Sequence, residues 1–392
     1  MAAALEGIKV LEMGLLVQGP QAAALLAQLG ADVVKVELPG FGDQARWLPI
    51  DPPNDFRSPF FLGCNRGKRS VTIDVRRPEG CDVFLRLAEE ADVVITNFKP
   101  GTMDEWGLGY EALAARNPRL VYATGSAFGP VGPDAHREGA DLSAQAAGGL
   151  ISATGNEGGD PTTIGITICD HISSLNLVNG VLAALLARQH TGRGQRVDVS
   201  LLGSQIWAQA SEYSYYLASG QLPGRPNRGH PLIAALYGIM PTADGWLAIV
   251  GVTGPHRQAF YDAIGRPDLV DDPRFSSLLL TKEQKAGLFA ELAEVFVQRS
   301  TAEWCEILQA AGQRFAPVRT YDQVADDPQV WENGYLAEVD GERVVGTPIR
   351  FSDTPARVGA APPDLGADTF DVLTEAGFSP EEIAELLASG AV

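Results

Sequence analysis

Apolar and polar residues alternate along the first 37 positions in a way that predicts a strand, a helix and a second strand. Residues 8–13 form an apolar run of strand length, residues 21–29 carry apolar side chains at helical spacing, and residues 32–37 form a second β-branched run. The Gly19-Pro20 pair is expected to break the chain before the helix, and Gly30 to end it. Strand, helix and strand within about thirty residues indicate parallel strands with a right-handed crossover.

The same alternation continues to residue 219 and predicts an α/β fold with a parallel sheet. The further predicted strands cover residues 70–74, 91–96, 120–126 and 196–201, and the further predicted helices cover residues 79–90, 140–150 and 202–219. Residues 40–59 and 125–139 are rich in Pro and Gly and are predicted loops. The first βα turn lacks GxGxxG, so a dinucleotide cofactor is not expected.

The pattern of predicted strands and helices changes after a Pro- and Gly-rich linker at residues 220–231. Two strand-like runs within residues 236–250 meet at Ala243-Asp244-Gly245, which is a hairpin signal. Predicted helices at residues 258–265, 282–298 and 301–312, an edge strand at 347–351 and an acidic helix pair within 370–387 follow. The pattern predicts a large domain over residues 1–220 and 331–392, with a smaller α+β domain at 221–330.

The centre of the chain is the stretch from residue 165 to residue 195. A short β-branched run at residues 165–169 is predicted as a strand that ends in Asp170, and a long apolar helix at 172–190 and a Gly-rich turn follow. Asp170 therefore stands at a helix start. It is either an N-cap that accepts the free N–H groups of the first turn, or a carboxylate nucleophile at the positive end of the helix dipole. The residues alone leave both interpretations open.

The charge of −19 disfavours nucleic acid and anionic membranes as partners. No apolar run is expected to reach the roughly 20 residues that cross a bilayer, and the first residues lack a secretory signal. The densest basic segment contains Arg66, Lys68 and Arg69. It is either a solvated turn or a cationic lip for phosphates.

The four cysteines lie at positions 64, 81, 169 and 305, without CxxC spacing. This pattern argues against a disulfide framework and against a zinc site, so no metal is expected. It favours a reducing cytoplasm as the location of the protein.

Ordered motifs along nearly the whole chain resemble those of one enzyme family. They are Gly30-Ala31-Asp32-Val33-Val34-Lys35-Val36-Glu37, Asn65-Arg66-Gly67-Lys68-Arg69-Ser70, Asn97-Phe98-Lys99-Pro100-Gly101, Asn117-Pro118-Arg119-Leu120-Val121, Thr191-Gly192-Arg193-Gly194-Gln195 and Asp272-Pro273-Arg274-Phe275. The chain is similar to family III CoA-transferases, a group that includes formyl-CoA transferase and α-methylacyl-CoA racemase. The resemblance implies a Rossmann-like large domain, an inserted small domain and an interlocked homodimer.

The resemblance also implies a mechanism and a set of site residues. The aspartate that matches Asp170 attacks an acyl-CoA thioester to give a mixed anhydride, then an enzyme–CoA thioester, which a carboxylic acid attacks in turn. Coenzyme A is then a substrate, and no permanently bound cofactor is needed. A Phe ring and an Asn amide at the end of a strand suit an adenine ring. The expected CoA-binding residues are Val17, Gln18, Arg46, Arg66, Lys68, Arg69, Asn97, Phe98, Lys99, Ala140 and Asp141.

Departures from the family pattern keep two alternatives open. Racemases of the family carry a His where this chain has Ala140, and racemisation needs a general acid/base pair, which His136 or His171 would have to supply. The glutamine before Gly-Pro is shifted to Gln18, and an arginine of the family is replaced by Glu105, so oxalate or formate is not expected as a substrate. The second alternative is a non-catalytic CoA-binding protein on this fold.

Overall fold

The computed structural model describes residues 2–50, 58–277 and 280–392. The chain divides into two compact units. The first holds Met1–Gly148, Ile164–Ala208 and Pro328–Val392, and the second holds Gly149–Thr163 and Gln209–Asp327. The domain bounds expected from the sequence, at residues 220 and 330, stay a prediction about folding units.

Regular elements occupy most of the described chain. The strands are β1 (Lys9–Met13), β2 (Asp32–Glu37), β3 (Arg69–Thr72), β4 (Val93–Thr96), β5 (Val121–Ser126), β6 (Arg196–Ser200), β7 (Leu236–Pro241), β8 (Trp246–Val252), β9 (Phe315–Pro317), β10 (Leu336–Val339) and β11 (Glu342–Val345). The helices are α1 (Gln18–Gln28), α2 (Pro59–Cys64), α3 (Pro78–Glu90), α4 (Thr102–Glu105), α5 (Tyr110–Arg116), α6 (Asp141–Ala147), α7 (Leu150–Ala153), α8 (Ile168–Thr191), α9 (Leu201–Ala208), α10 (Ala210–Ser219), α11 (Pro255–Ala263), α12 (Lys282–Phe296), α13 (Thr301–Ala310), α14 (Tyr321–Ala325), α15 (Pro328–Glu332), α16 (Thr369–Glu375) and α17 (Pro380–Ser389).

The first unit is built on a parallel sheet with the strand order β3-β2-β1-β4-β5-β6. Each neighbouring pair is parallel, which confirms the predicted α/β class. The order reverses between β1 and β4. In open α/β sheets, a ligand crevice forms at such a switch point, outside the carboxyl ends of the strands.

Both faces of this sheet are buried because helices cover each one. Val10 and Leu11 are neighbours in β1, and their side chains enter different apolar clusters. The cluster around Leu11 includes Phe84 of α3, and the cluster around Val10 includes Leu177 of α8. Successive strand residues point to opposite faces, so a strand covered on both sides reads as a continuous apolar run.

Helix α8 is the longest element of this unit and packs beside α1. Among the described helices, α8 is the one whose length and composition match a membrane span, so the expectation that no apolar run reaches this length is wrong. Its apolar side chains, for example Leu177, Val181 and Leu185, instead pack in the apolar cluster around Val10 of β1. A core helix of an α/β layer needs the same composition.

The second unit contains an antiparallel sheet of β7, β8 and β9. Pro241 and Trp246 pair at the end of the β7–β8 hairpin, so the predicted turn at residues 243–245 is confirmed. Helices α11, α12 and α13 bury aromatic side chains with this sheet, among them Phe260, Phe296 and Trp304.

Several predicted elements differ from the structure. Residues 165–167 form no strand, and α8 begins at Ile168. Residues 347–351 form no strand either, and the strands of this region are those of the hairpin β10–β11 just before them. The predicted helix at 202–219 is two helices separated by Gln209. Part of the predicted loop at 40–59, residues 51–57, lies outside the described residues.

Helix α1 begins before Gly19-Pro20, although that pair was expected to break the chain. Pro20 stands in the first turn of the helix, where N–H groups have no intrahelical acceptor, so its missing N–H costs nothing there.

Gly194 provides a test of the packing between β5 and the turn after α8. Its N–H donates to the carbonyl of Pro118 at 2.9 Å, and a Cβ at this position would overlap the carbonyl oxygen of Leu120. We expect Gly194→Ala to lower the free energy of unfolding by about 3 kcal/mol in urea titrations. Gly165→Ala is the control, because a Cβ there meets no atom within 4 Å. Equal stability of the two variants would contradict this packing.

Candidate active site

An apolar crevice of about 240 Å³ opens at the switch point of the sheet. Its walls come from the ends of β1 and β2 and from the segments that follow β1, β2, β3 and β4. Its apolar residues include Met13, Val36, Ile73, Val75, Phe98 and Trp106. The rings of Phe98 and Trp106 meet edge to face, with centroids 5.2 Å apart. The predicted residue Phe98 therefore lines a crevice bounded by flat aromatic surfaces.

Buried side chains hold the turn from β1 to α1. The N–H of Gly14 donates to Glu12 Oε1 at 2.8 Å, and its carbonyl accepts from Lys35 Nζ at 3.0 Å. Asn97 spans the switch point, accepting from the N–H of Leu15 at 2.8 Å and donating to its carbonyl at 2.9 Å. Asn97, predicted to face a ligand, thus uses its amide to join the ends of β1 and β4.

Leu16 completes this turn in a strained conformation. Its φ is +63°, a region that branched side chains rarely adopt. The N–H of Leu16 donates to Asp43 Oδ1 at 3.1 Å. The backbone N–H groups of Gly14, Leu15 and Leu16 are therefore all occupied by side chains, and the turn offers none of them to a pyrophosphate.

The side chains that hold the turn form a buried ion network. Lys35 Nζ lies 3.1 Å from both carboxylate oxygens of Glu12 and 3.0 Å from Asp43 Oδ2, and Lys68 Nζ lies 3.0 Å from Glu12 Oε2. The side chains of Glu12, Lys35 and Lys68 are fully buried. Burial disfavours charge on Lys35, but the carboxylates of Glu12 and Asp43 outweigh it and raise its pKa. Burial lowers the pKa of Lys68 to about 8, against the opposing charge of Glu12.

The other predicted cations lie in different surroundings. Arg46 makes two hydrogen bonds to the carboxylate of Glu37, at 2.8 and 2.7 Å, and its guanidinium stacks 3.9 Å above the ring centre of Phe61. Arg69 pairs with Asp32 at the amino end of β2. Lys99 is exposed, and its Nζ lies 3.5 Å from Glu138 Oε1.

Arg66 is buried, and it donates from Nε to the carbonyl of Gly359 at 3.2 Å. The five basic side chains, including Lys68 in the network, do not form one cluster. Their role in binding CoA stays a prediction.

Asp141 caps the amino end of α8 from a different helix. Its Oδ1 accepts from the N–H of Cys169 at 2.7 Å and of Asp170 at 3.3 Å, and its Oδ2 accepts from Gln145 Nε2 at 2.6 Å. Thr167 is the N-cap residue of α8, and Asp170 is the third helical residue. The interpretation of Asp170 as the N-cap is therefore wrong, because the Asp141 carboxylate accepts the hydrogen bonds of the first-turn N–H groups.

The carboxyl group of Asp170 is left without a hydrogen bond to any described residue. Burial, and next the charge of Asp141, raise its pKa to about 7. A carboxyl that caps a helix is bonded to N–H groups, which lower its pKa. Asp170 has the opposite properties, those of a carboxyl kept available.

The start of α1 lies against the first turns of α8. Gln18 is buried and donates from Nε2 to Ser173 Oγ. Ser174 Oγ lies 2.7 Å from the carbonyl oxygen of Gln18 and 2.8 Å from that of Asp170. Val17 is the N-cap residue of α1. The predicted residue Gln18 is thus brought to the helix that carries Asp170, and the predicted residue Val17 precedes it in the chain.

The histidines and Ala140 do not make an acid/base pair. His171 Nδ1 lies 2.6 Å from Gln21 Oε1, and burial lowers the pKa of His171. His136 Nδ1 lies 3.3 Å from the carbonyl oxygen of Pro100. Ala140 is the N-cap residue of α6 and has no ionisable group.

Sequence reasoning did not identify the ion network or the capping role of Asp141. A signal was present for the network, because Glu12 and Lys35 are charged residues that each stand between two apolar neighbours in a strand. A charge in a strand buried on both faces needs a partner. The partners come from separate segments, so the sequence alone does not identify them.

Comparison with known proteins agrees with this architecture. The sequence model of CoA-transferase family III matches residues 5–369. A succinate–glutarate CoA-transferase of Agrobacterium fabrum is 35% identical over 388 residues, which is 95% of this chain and 95% of that protein. A succinyl-CoA:mesaconate CoA-transferase of Haloarcula marismortui is 35% identical over 388 residues, 95% of this chain and 96% of that protein.

A crystal structure gives the same result at the level of the fold. A CAIB/BAIF family protein from Brucella suis superimposes with a TM-score of 0.86 at 35% identity, over 96% of this chain and all of that one. The sequence and structure matches show that the protein is a CoA-transferase enzyme, and the chain belongs to CoA-transferase family III.

Proposed function

We propose that Asp170 is the nucleophile of this enzyme, which moves CoA from an acyl-CoA donor to a carboxylic acid. The carboxylate adds to the thioester carbonyl, the C–S bond breaks, and an acyl–aspartyl anhydride and CoA thiolate form. The thiolate then attacks the aspartyl carbonyl, which releases the donor acid and leaves an aspartyl–CoA thioester. The acceptor carboxylate then attacks the aspartyl–CoA thioester, which gives a new acyl–aspartyl anhydride and CoA thiolate. The thiolate attacks the acyl carbonyl of this anhydride, which releases the new acyl-CoA and the free Asp170 carboxylate.

The observation that carries this proposal is the unbonded, partly buried carboxyl of Asp170. Removing a carboxylate from water without hydrogen bonds costs stability, and the Asp141 charge adds to that cost. A raised pKa increases the basicity of the carboxylate, and a pKa of about 7 leaves a large ionised fraction at neutral pH. The fold gains no stability in exchange for this cost, because the Asp170 carboxyl caps no helix N–H group.

The first turn of α1 is the best source of oxyanion donors. In α8, the N–H groups of Cys169 and Asp170 are taken by Asp141, so the start of that helix is a poor source. The N–H groups of Val17, Gln18 and Gly19 donate to no atom among the described residues. Free N–H groups at a helix start attract negative charge, and Ser174 ties this turn to the backbone of Asp170.

The switch-point crevice is proposed to take the adenine end of CoA. Phe98 and Trp106 supply aromatic surfaces. Because the turn between β1 and α1 has no free N–H to offer over residues 14–16, the phosphates need side-chain cations. Lys99, and Arg76 on the rim of the crevice, are exposed and suit that role.

The substrates are proposed to be acyl-CoA thioesters and carboxylic acids, in line with the names of the relatives, which specify succinate, glutarate and mesaconate. All four cysteines are free thiols, which supports a location in the cytoplasm.

A homodimer, interlocked as the family resemblance implies, is proposed for the assembly. Large apolar side chains on α8 and α9 support it because they are exposed in the single chain, namely Leu175, Leu186, Ile206 and Trp207.

Replacement of Asp170 by Asn is expected to abolish turnover. The amide has the shape of the carboxyl but cannot form the anhydride, so acceptor-dependent CoA exchange should fall by about 10³-fold or more. The assay follows acyl-CoA formation from donor and acid by chromatography. Asp82→Asn, an exposed carboxyl on α3, is the matched control and should keep full activity. Turnover near the wild-type rate in Asp170→Asn would end the proposal.

The pH dependence of the reaction tests the environment of Asp170. The carboxylate is the attacking form, so kcat/KM for the donor should rise with pH and level off above a pKa of about 7. In Asp141→Asn an oxygen still accepts from Cys169, but the negative charge is gone. The rise should then move to lower pH by about one unit, and an unchanged profile would exclude electrostatic coupling between the two carboxyls.

Asp170→Asn should also stabilise the fold at high pH. The folded chain holds the Asp170 proton up to a pKa of about 7, whereas the unfolded chain releases it near pH 4, so stability falls as pH rises between these values. We expect the variant to gain about 2 kcal/mol in the free energy of unfolding at pH 8 and to match the wild type at pH 3.5. Urea titrations measure both, and equal stability at pH 8 would show that the carboxyl is solvated.

A further inference from the structure

A second cavity of the first compact unit, of about 630 Å³, has no part in the mechanism described above. It lies between α1, α2, α8 and the segment that contains β11. Its walls are mainly apolar, including Leu25, Leu62 and Val345, and its polar residues include Gln21, Arg66, His171 and Ser174. The cavity thus combines an apolar body with few polar groups, as small-molecule sites do.

Arg66 gives this cavity an unusual electrostatic property. Only 6% of the residue is exposed. Its Nε is bonded to the carbonyl of Gly359, but its Nη2 is buried and has no hydrogen-bond partner in the described chain. Two other charged residues line the cavity, Glu342 and Arg343, and both are exposed. A buried guanidinium without an anion is costly, and a carboxylate is the partner its geometry fits best.

The same cavity reaches the first turns of α8, the helix that carries Asp170. Ser174 lines the cavity, and it follows Asp170 by four residues. Residues four apart lie on one face of a helix, one above the other. Ser174 Oγ also lies 2.8 Å from the carbonyl oxygen of Asp170. The cavity therefore adjoins the part of α8 that carries Asp170, since His171, the next residue, also lines it.

We propose that this cavity binds the acceptor acid, and that Arg66 selects a dicarboxylic acid by pairing with its distal carboxylate. The inference rests on the proposed function of Asp170. The apolar walls hold the carbon chain, and the other carboxylate is directed to the aspartyl–CoA thioester. Its oxygen bonds to the aspartyl carbonyl carbon, the C–S bond breaks, and CoA leaves as the thiolate.

The test compares glutarate with pentanoate, which has the same chain length and one carboxylate. Acetyl-CoA is the donor, so that the donor acyl group carries no second charge. Arg66→Gln should raise the KM for glutarate at least tenfold and change the KM for pentanoate less than threefold. The matched control is Arg116→Gln on α5, whose exposed guanidinium pairs with Glu89, and it should change neither value.

Two further measurements keep the inference separate from fold defects. Arg66→Lys retains the charge and should recover part of the discrimination. Gly63→Leu narrows the cavity without touching Arg66, because Gly63 lines the cavity and a Cβ there meets no atom within 4 Å. It should raise the KM for both acids. Calorimetric titration of glutarate into wild type and Arg66→Gln reads the binding even if no CoA is exchanged.

The outcomes are distinguishable. Loss of glutarate affinity in Arg66→Gln, with pentanoate unaffected, supports the inference. Equal effects on both acids, no effect on either, or a change in native mass with equal loss for both acids would overturn it, the last by assigning Arg66 to an interface. Failure of the proposed function shows differently, as a wild-type enzyme that binds glutarate but never acylates Asp170.

Discussion

The buried contacts of Lys35 and Lys68 with Glu12 are the interaction on which the rest of the site depends. Three fully buried charges meet at the carboxyl end of β1, and with Asp43 they hold the turn that leads into α1. Removing one partner from such a network leaves an uncompensated buried charge. The network keeps Leu16 at a positive φ, and the first turn of α1 follows directly. The position of α1 beside α8 is set in this way from the centre of the sheet.

A division of labour between two carboxyls follows at the start of α8. The carboxylate oxygens of Asp141 accept hydrogen bonds from the N–H groups of Cys169 and Asp170 and from the side chain of Gln145. The helix end is therefore satisfied without using Asp170. Partial burial, and next the negative charge of Asp141, then raise the pKa of Asp170. One carboxyl stabilises the fold, and the other is available for chemistry because the first is there.

Sequence periodicity predicted the parallel strands, the hairpin of the second unit and the helix pair at the end of the chain, because local pattern and burial agree in these elements. The N-cap interpretation of Asp170 is wrong because the group that caps α8 comes from Asp141, 29 residues before Asp170 and on another helix. The basic segment illustrates the same limit. Its charges were visible, but only the fold shows that Lys68 is buried against Glu12 while Arg69 pairs with Asp32. Partners distant in sequence decide what a charged residue does.

The central claim is that CoA is carried for a time on the Asp170 carboxyl. Mass spectrometry of the intact protein, mixed with acyl-CoA in the absence of any acceptor acid, tests it most directly. We expect a species heavier by one CoA less one water, which peptide analysis assigns to Asp170 and which disappears when an acid is added. A protein that turns over CoA without this species, or that carries the added mass on another residue, would contradict the account.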